Sequence, residues 1–319
     1  KACGESVRRF RRTVVGLIVL IGVFSSSLVV ATERFVPVYP TDPGRPRSMT
    51  WPLVFTTLLP GFDQWYEGQE TEGSILSGAA FGGLLLASSA RLETSGGDVL
   101  ASRDDRVRTS VLGFQIYSAA GSFSAFHSFR SAAKTWPGQF EFMKGAENEG
   151  LDDLIAAPWD FSMLRRSTTW GALAFAIGLA AVDIANVDSI WSRNSYGLRD
   201  LGFGTAFSTF AGMHEEALFR GTLQPLFRRS WGSEWGSNLA TSVIFGAAHY
   251  SETNRFPLAQ TLAGYYLGWV AMENGWSLKE SIFIHTWWDI ILLNAQYLIE
   301  SRDRSREAIY RLPDLHLSF

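Results

Sequence analysis

Four ionisable residues, His214, Glu215, Glu216 and Arg220, fall within seven positions of the stretch Gly212–Gly221. They arrive directly after thirteen residues, Leu201–Met213, that carry no formal charge. Ionisable groups embedded in membrane-like sequence are costly to keep there, so they face a bundle interior or a water-filled cavity and carry function. On a helix Glu216 and Arg220 lie one turn apart on one face and can pair. Glu215 sits about 100° further round and is left for other work. Two later apolar stretches bring more polar groups. Phe245 and His249 stand at i and i+4 with only Gly and Ala between them, and His285 and Asp289 share the i, i+4 spacing. A carboxylate base, two imidazoles and a polarising group suit hydrolysis. The soluble zinc-protease signature is absent, since His214-Glu215 would need a second His at position 218, where Leu218 stands.

The elements that must position these residues are long and apolar. The 319-residue chain is 46% hydrophobic, and its uncharged residues come in blocks. These are Thr13–Thr32, Ser74–Ala90, Thr109–Phe126, Ser167–Val182, Leu201–Met213, Trp235–Ser251 and Phe256–Met272; Ser281–Ile299 is broken only by His285 and Asp289. Several approach the roughly 20 residues that cross a bilayer, and Trp, Tyr and Arg flanks extend the others. The blocks predict an all-α, polytopic helical membrane protein of about seven to eight membrane helices with interfacial amphipathic segments. Three regions follow: 1–165 with the first spans and interfacial helices, 166–300 as the catalytic helical core, and 301–319 as an aqueous tail. Formal net charge of -3 gives no reason to expect nucleic acid as a partner. A single cysteine, Cys3, excludes an intrachain disulfide and a Cys-rich zinc site.

Arg8, Arg9, Arg11 and Arg12 ahead of Thr13–Thr32 predict a retained first span with a cytoplasmic N-terminus, in preference to a signal peptide cleaved after Val29-Val30-Ala31. Four prolines between Pro37 and Arg47 predict an extended connection. Pro60-Gly61-Phe62-Asp63-Gln64-Trp65-Tyr66-Glu67-Gly68 reads as a topology-setting turn before a membrane hairpin. Lys134–Met163 interleaves polar residues with Trp136, Phe140, Phe142, Leu151, Leu154 and Trp159, as segments lying on a membrane surface do. His127 and Asp183 read as interfacial residues without chemistry.

The order Glu215-Glu216-x-x-x-Arg220, Phe245-x-x-x-His249, His285-x-x-x-Asp289 on successive apolar helices resembles the CPBP family. These are the CAAX-processing and bacteriocin-processing (Abi) intramembrane proteases, related to the Rce1 prenyl-protein endopeptidase. The resemblance covers about Ser167–Ile299. It implies a membrane-embedded endopeptidase that hydrolyses a membrane-associated peptide or protein, with the bilayer as its other partner. The bacterial inner membrane is the expected location. By the same resemblance Glu215 and His249 would hold and activate the water, Glu216 and Arg220 would orient that pair, and His285 would stabilise the oxyanion. The family commonly has Asn where Asp289 stands. An ionised Asp cannot donate to an oxyanion, so Asp289 is expected to orient His285 or to share a proton or metal with it. The cofactor is either Zn²⁺, with Glu215, His249 and His285 as ligands, or none.

Two other classes compete with a peptidase. A catalytically silent member would serve as a membrane scaffold or chaperone, with its Trp-rich N-terminal half as the working surface. A transporter would use the buried charges as an ion site, but no internal repeat or paired broken helix supports that.

Overall fold

The computed structural model describes residues 50–89, 100, 102, 104–136, 138–185, 196–251 and 254–303. The expected first span, the proline-rich connection and residues 304–319 lie outside them. The described residues form eleven α-helices and no strand. In chain order these are α1 Thr50–Leu58, α2 Phe62–Tyr66, α3 Glu70–Ala87, α4 Asp105–Lys134, α5 Leu151–Ala156, α6 Ser167–Ala185, α7 Leu198–Leu218, α8 Gln224–Trp231, α9 Glu234–Ala248, α10 Leu258–Glu273 and α11 Lys279–Asp303. A π-helical turn, Phe219–Leu223, joins α7 to α8, and short 3₁₀ turns flank α5.

Local chemistry sets the boundaries. Asp104 caps α4 by accepting from the Arg106 amide at 2.8 Å, and Ser233 caps α9 through the Gly236 amide at 3.0 Å. Gly232, at φ 67°, ends α8 in the left-handed conformation that glycine adopts without steric cost. α11 continues through Asp303, past the boundary at 300 expected for the helical core.

Small residues let the helices approach closely enough for their polar groups to meet. A Cβ added at Gly212 of α7 would lie 2.9 Å from the Thr286 amide nitrogen of α11. One at Gly264 of α10 would lie 3.0 Å from the Phe245 ring and 3.1 Å from Arg220. α7 therefore packs on α11, α9 on α10, and α11 also on α6. The long α4 packs against both α3 and α7, which ties the N-terminal half to the site helices.

One described helix, Ser167–Ala185, is long and apolar enough by itself to cross a membrane. The expected count of seven to eight is not reached on that criterion, and the reason is chemical. α4, α7 and α11 are longer, but they carry Arg108 and Arg130, Asp200 and Glu216, and Glu280 and Asp289, all buried. Their polar residues point inward and lower the apolar score. Elsewhere the outer surface is apolar: Leu84 of α3, Phe114 of α4, Phe175 and Ile177 of α6, and Leu239 and Val243 of α9 are among many large hydrophobic side chains left exposed. Exposed apolar surface on this scale marks a lipid or protein contact.

The Pro60–Gly68 turn does more than set topology. Gly61 takes φ 89°, its amide donates to Ser124 Oγ at 3.0 Å, and the fully buried Gln64 side chain bonds Ser124 and Ser128 of α4. His127 Nε2 lies 3.2 Å from Glu72 of α3, so it links helices, and Asp183 is exposed near the end of α6. The Lys134–Met163 stretch forms short helical turns. Leu154 and Met143 are buried while Ile155, Trp159 and Phe161 stay exposed.

Candidate active site

α7 carries both glutamates, and they have different surroundings. Glu216 and Arg220 are fully buried and paired, with Arg220 Nη1 donating to Glu216 Oε1 at 2.8 Å. Arg220 lies inside the π-helical turn Phe219–Leu223 and keeps the i, i+4 contact with Glu216. Single-turn π segments inside α-helices are frequent at functional sites. Arg220 Nη2 also donates to the Gly264 carbonyl at 2.9 Å, and its guanidinium lies 4.4 Å from the Phe245 ring centre. Glu215 is 18% exposed at its side chain, so it is the glutamate that water or a ligand can reach.

His249 and His285 come to Glu215 from two other helices. His249 is not inside α9 but caps its C-terminus, at φ -93° and ψ 10°. Its Nδ1 contacts the Phe245 carbonyl at 2.7 Å. A carbonyl only accepts, so Nδ1 carries the hydrogen and one of the helix's end carbonyls is satisfied. His285 Nδ1 likewise contacts Glu216 Oε1 at 2.9 Å. With both Nδ1 atoms engaged, the Nε2 atoms of the neutral rings are lone-pair acceptors. Glu215 Oε2 lies 3.7 Å from His249 Nε2 and 3.8 Å from His285 Nε2. Asp289 Oδ2 adds a further acceptor 3.5 Å from His285 Nε2.

Acceptors do not bond one another. Their convergence calls for a water, a proton or a cation between them, and Glu215 Oε2 is a buried oxygen with no hydrogen-bond partner in the protein. Two ligands on a tetrahedral zinc stand roughly 3.3 Å apart, and two groups sharing one water stand about 4.6 Å apart. The observed separations fall between. Among the described residues no cluster of three or more His, Cys, Asp and Glu side chains forms a ready metal centre. One carboxylate and two imidazoles whose other nitrogens are engaged nevertheless fit zinc in donor type, after a contraction of a few tenths of an ångström.

The structure thus brings Glu215, Glu216, Arg220, His249, His285 and Asp289 together. It rearranges one pairing: Glu216 and Arg220 were expected to orient Glu215 and His249, whereas Glu216 bonds His285. Arg220 reaches His249 only through the Phe245 ring. Asp289 is at one nitrogen of His285 and Glu216 at the other, so orientation of that ring falls to Glu216 at the shorter distance. Sequence reasoning missed Gln115 of α4, whose Oε1 lies 2.7 Å from His214 Nε2. A lone amide in an apolar run gives no signal of its own. It also missed the Phe245 and Gly264 carbonyls, which no side-chain pattern reveals.

No curated protein and no solved structure matches the chain. One family model does, described as type II CAAX prenyl endopeptidase Rce1-like, and it matches residues 198–291. That span runs from the start of α7 into α11 and contains all six residues gathered at Glu215. Over residues 198–291 the chain is similar to the Rce1-like family.

Proposed function

We propose that this chain is a membrane-embedded endopeptidase whose hydrolytic water is held by Glu215, His249 and His285. One observation carries the reading: a buried carboxylate oxygen without a hydrogen-bond partner among the described residues faces the Nε2 atoms of two histidines whose Nδ1 atoms are engaged. A water there donates to Glu215 and is oriented by the imidazoles. As it attacks the peptide carbonyl carbon, its proton passes to Glu215, and the carbonyl electrons move onto oxygen. That proton then goes to the leaving amine as the C–N bond breaks. His285 can donate to the oxyanion from Nε2 only in its doubly protonated form, since Nδ1–H is held by Glu216. Zinc, where bound, would be held by Glu215, His249 and His285 and would supply Lewis-acid activation of the same water.

The family's description supplies the substrate to try first, a prenylated peptide ending in a CAAX sequence. The test is cleavage of such a peptide by the full chain in lipid nanodiscs, with Glu215→Gln beside it. The variant keeps shape and one acceptor but cannot take a proton, so it should fold with unchanged thermal stability and lose about 10²–10⁴-fold in rate. Cleavage that survives Glu215→Gln at the wild-type rate would overturn the base assignment.

Asp289 favours a second reading, that of a silent member acting as a scaffold. It sets another carboxylate 3.5 Å from His285 Nε2, where an oxyanion needs a donor. Absence of any cleavage, with the fold intact and a membrane partner recovered by the chain, would select it.

A further inference from the structure

The peptidase reading leaves unused a polar feature at the far end of α4. A cleft of about 130 Å³ lies where the chain turns from α4 into the 3₁₀ segment Glu141–Ala146. Arg130, Lys134 and Lys144 line it with Trp136, Phe140 and Glu147. Arg130 is only 6% exposed. Its Nη1 and Nη2 donate to the carbonyls of Ala146 and Trp276 at 3.1 and 3.3 Å, and its Nε has no partner. The nearest carboxylate, Glu149, lies 3.6 Å away, outside hydrogen-bond distance, and it accepts from Ser277 Oγ and the Leu278 amide instead. Burial lowers the Arg130 guanidinium to about 10 against the opposing pull of Glu149, so it remains a cation at neutral pH. It forms a buried ion pair with Glu149 and donates to two carbonyls, and its Nε is the donor left without a hydrogen-bond partner among the described residues.

Lys134, one turn further along α4, is exposed and has no ion-pair partner among the described residues. Lys144 pairs with Glu141 at 3.2 Å on the exposed rim, a contact of little energy. Glu147 is the other carboxylate of the rim. The wall is aromatic: Arg229 sits 4.4 Å from the Trp136 ring and 5.6 Å from the Phe140 ring. Cations interleaved with Trp and Phe at the end of a long helix characterise the headgroup layer of a bilayer.

We propose that this cleft binds the phosphate of an anionic membrane phospholipid, with Arg130 supplying buried positive charge and Lys134 the contact at the mouth. The aromatic wall favours a lipid over soluble phosphate, because a free anion gains nothing from it. The test uses the full chain in detergent, with phosphatidylglycerol and phosphatidylcholine added separately and retention read by native mass spectrometry. Phosphatidylglycerol should be retained about fivefold more than phosphatidylcholine, the scale of one basic residue near a membrane surface. Lys134→Gln should remove that preference and Lys134→Arg should keep it. Equal retention of the two lipids would overturn the proposal, and so would a preference unchanged in Lys134→Gln. Displacement of phosphatidylglycerol by millimolar inorganic phosphate would show a soluble-anion site and would overturn the lipid assignment.

Discussion

Arg220→Met should destabilise the fold through a group it does not remove. The change leaves the Glu216 carboxylate fully buried with its cation gone. Glu216 Oε2 already lacks a hydrogen-bond partner in the protein, and Oε1 would keep only His285. Breaking a buried pair on one side costs about 3–5 kcal/mol. The Gly264 carbonyl loses its donor as well, so the upper half of that range applies. For a domain of this size about 2–4 °C of unfolding temperature accompanies each kcal/mol, so the loss should be roughly 8–20 °C. Thermal unfolding of the purified chain in detergent, followed by circular dichroism, measures it. The discriminating variant is the double change Glu216→Gln with Arg220→Met. Glutamine keeps an acceptor for His285 and carries no charge, so the double variant should be more stable than Arg220→Met alone. If the double variant is no better, the stranded carboxylate is not the source of the loss. If Arg220→Met unfolds at the wild-type temperature, the buried ion pair contributes nothing and the reasoning fails.

Asp289→Asn replaces a carboxylate 3.5 Å from His285 Nε2 with a side chain that can donate. The variant should fold, and cleavage of a prenylated CAAX peptide should rise by up to about 10²-fold, the scale of one oxyanion donor; a fall in rate would show that the wild-type carboxylate is needed. At the end of α11, Lys279 Nζ bonds Asp153 at 2.6 Å. That hydrogen bond, and a weaker one from the Gly150 amide, hold the Asp153 carboxyl below its usual range. A lowered folded-state value gives stability that is present above the unfolded carboxylate value of about 3.9 and lost as pH falls through the folded one. Both side chains are about a third exposed, so Asp153→Asn should cost roughly 0.5–1 kcal/mol at pH 7 and nothing near pH 2. An equal cost at both pH values, read from denaturant unfolding, would place the effect in packing instead.

The sequence was most legible where spacing alone determines geometry. Glu216 and Arg220, four residues apart on one helix, pair as helical spacing requires. His285 and Asp289 also approach at that spacing. Legibility failed where partners come from other helices. Nothing in the run Thr109–Phe126 singles out Gln115 as the partner of His214, because their meeting depends on how α4 lies across α7. His249 lies near the end of the apolar stretch Trp235–Ser251, and spacing did not show that it closes α9 with its imidazole donating to the Phe245 carbonyl. The expected count of seven to eight membrane helices, of which one described helix qualifies by length and apolarity, is obscured for a related reason. Hydropathy sums every face of a helix, and α7 and α11 carry buried polar residues of the site among their apolar ones.

Adjacent glutamates, rather than glutamates one turn apart, follow from the two tasks the site sets. A carboxylate that holds structure must be dry and fully paired, and one that takes a proton from water must be reachable. Residues i and i+1 on a helix differ by about 100° in direction, enough to send one into the bundle and the other toward a cavity. Glu216, with no exposed side-chain area, takes Arg220 on one side and His285 on the other. Glu215, 18% exposed, keeps an unpartnered oxygen between two imidazole nitrogens. Glu216 thereby joins two motifs, since the carboxylate oxygen that neutralises Arg220 also fixes the ring of His285. Gly212, one turn before Glu216, lets α11 come close enough for that bond. A bulkier residue there would separate α7 from α11 and release His285 from Glu216, although neither residue had changed.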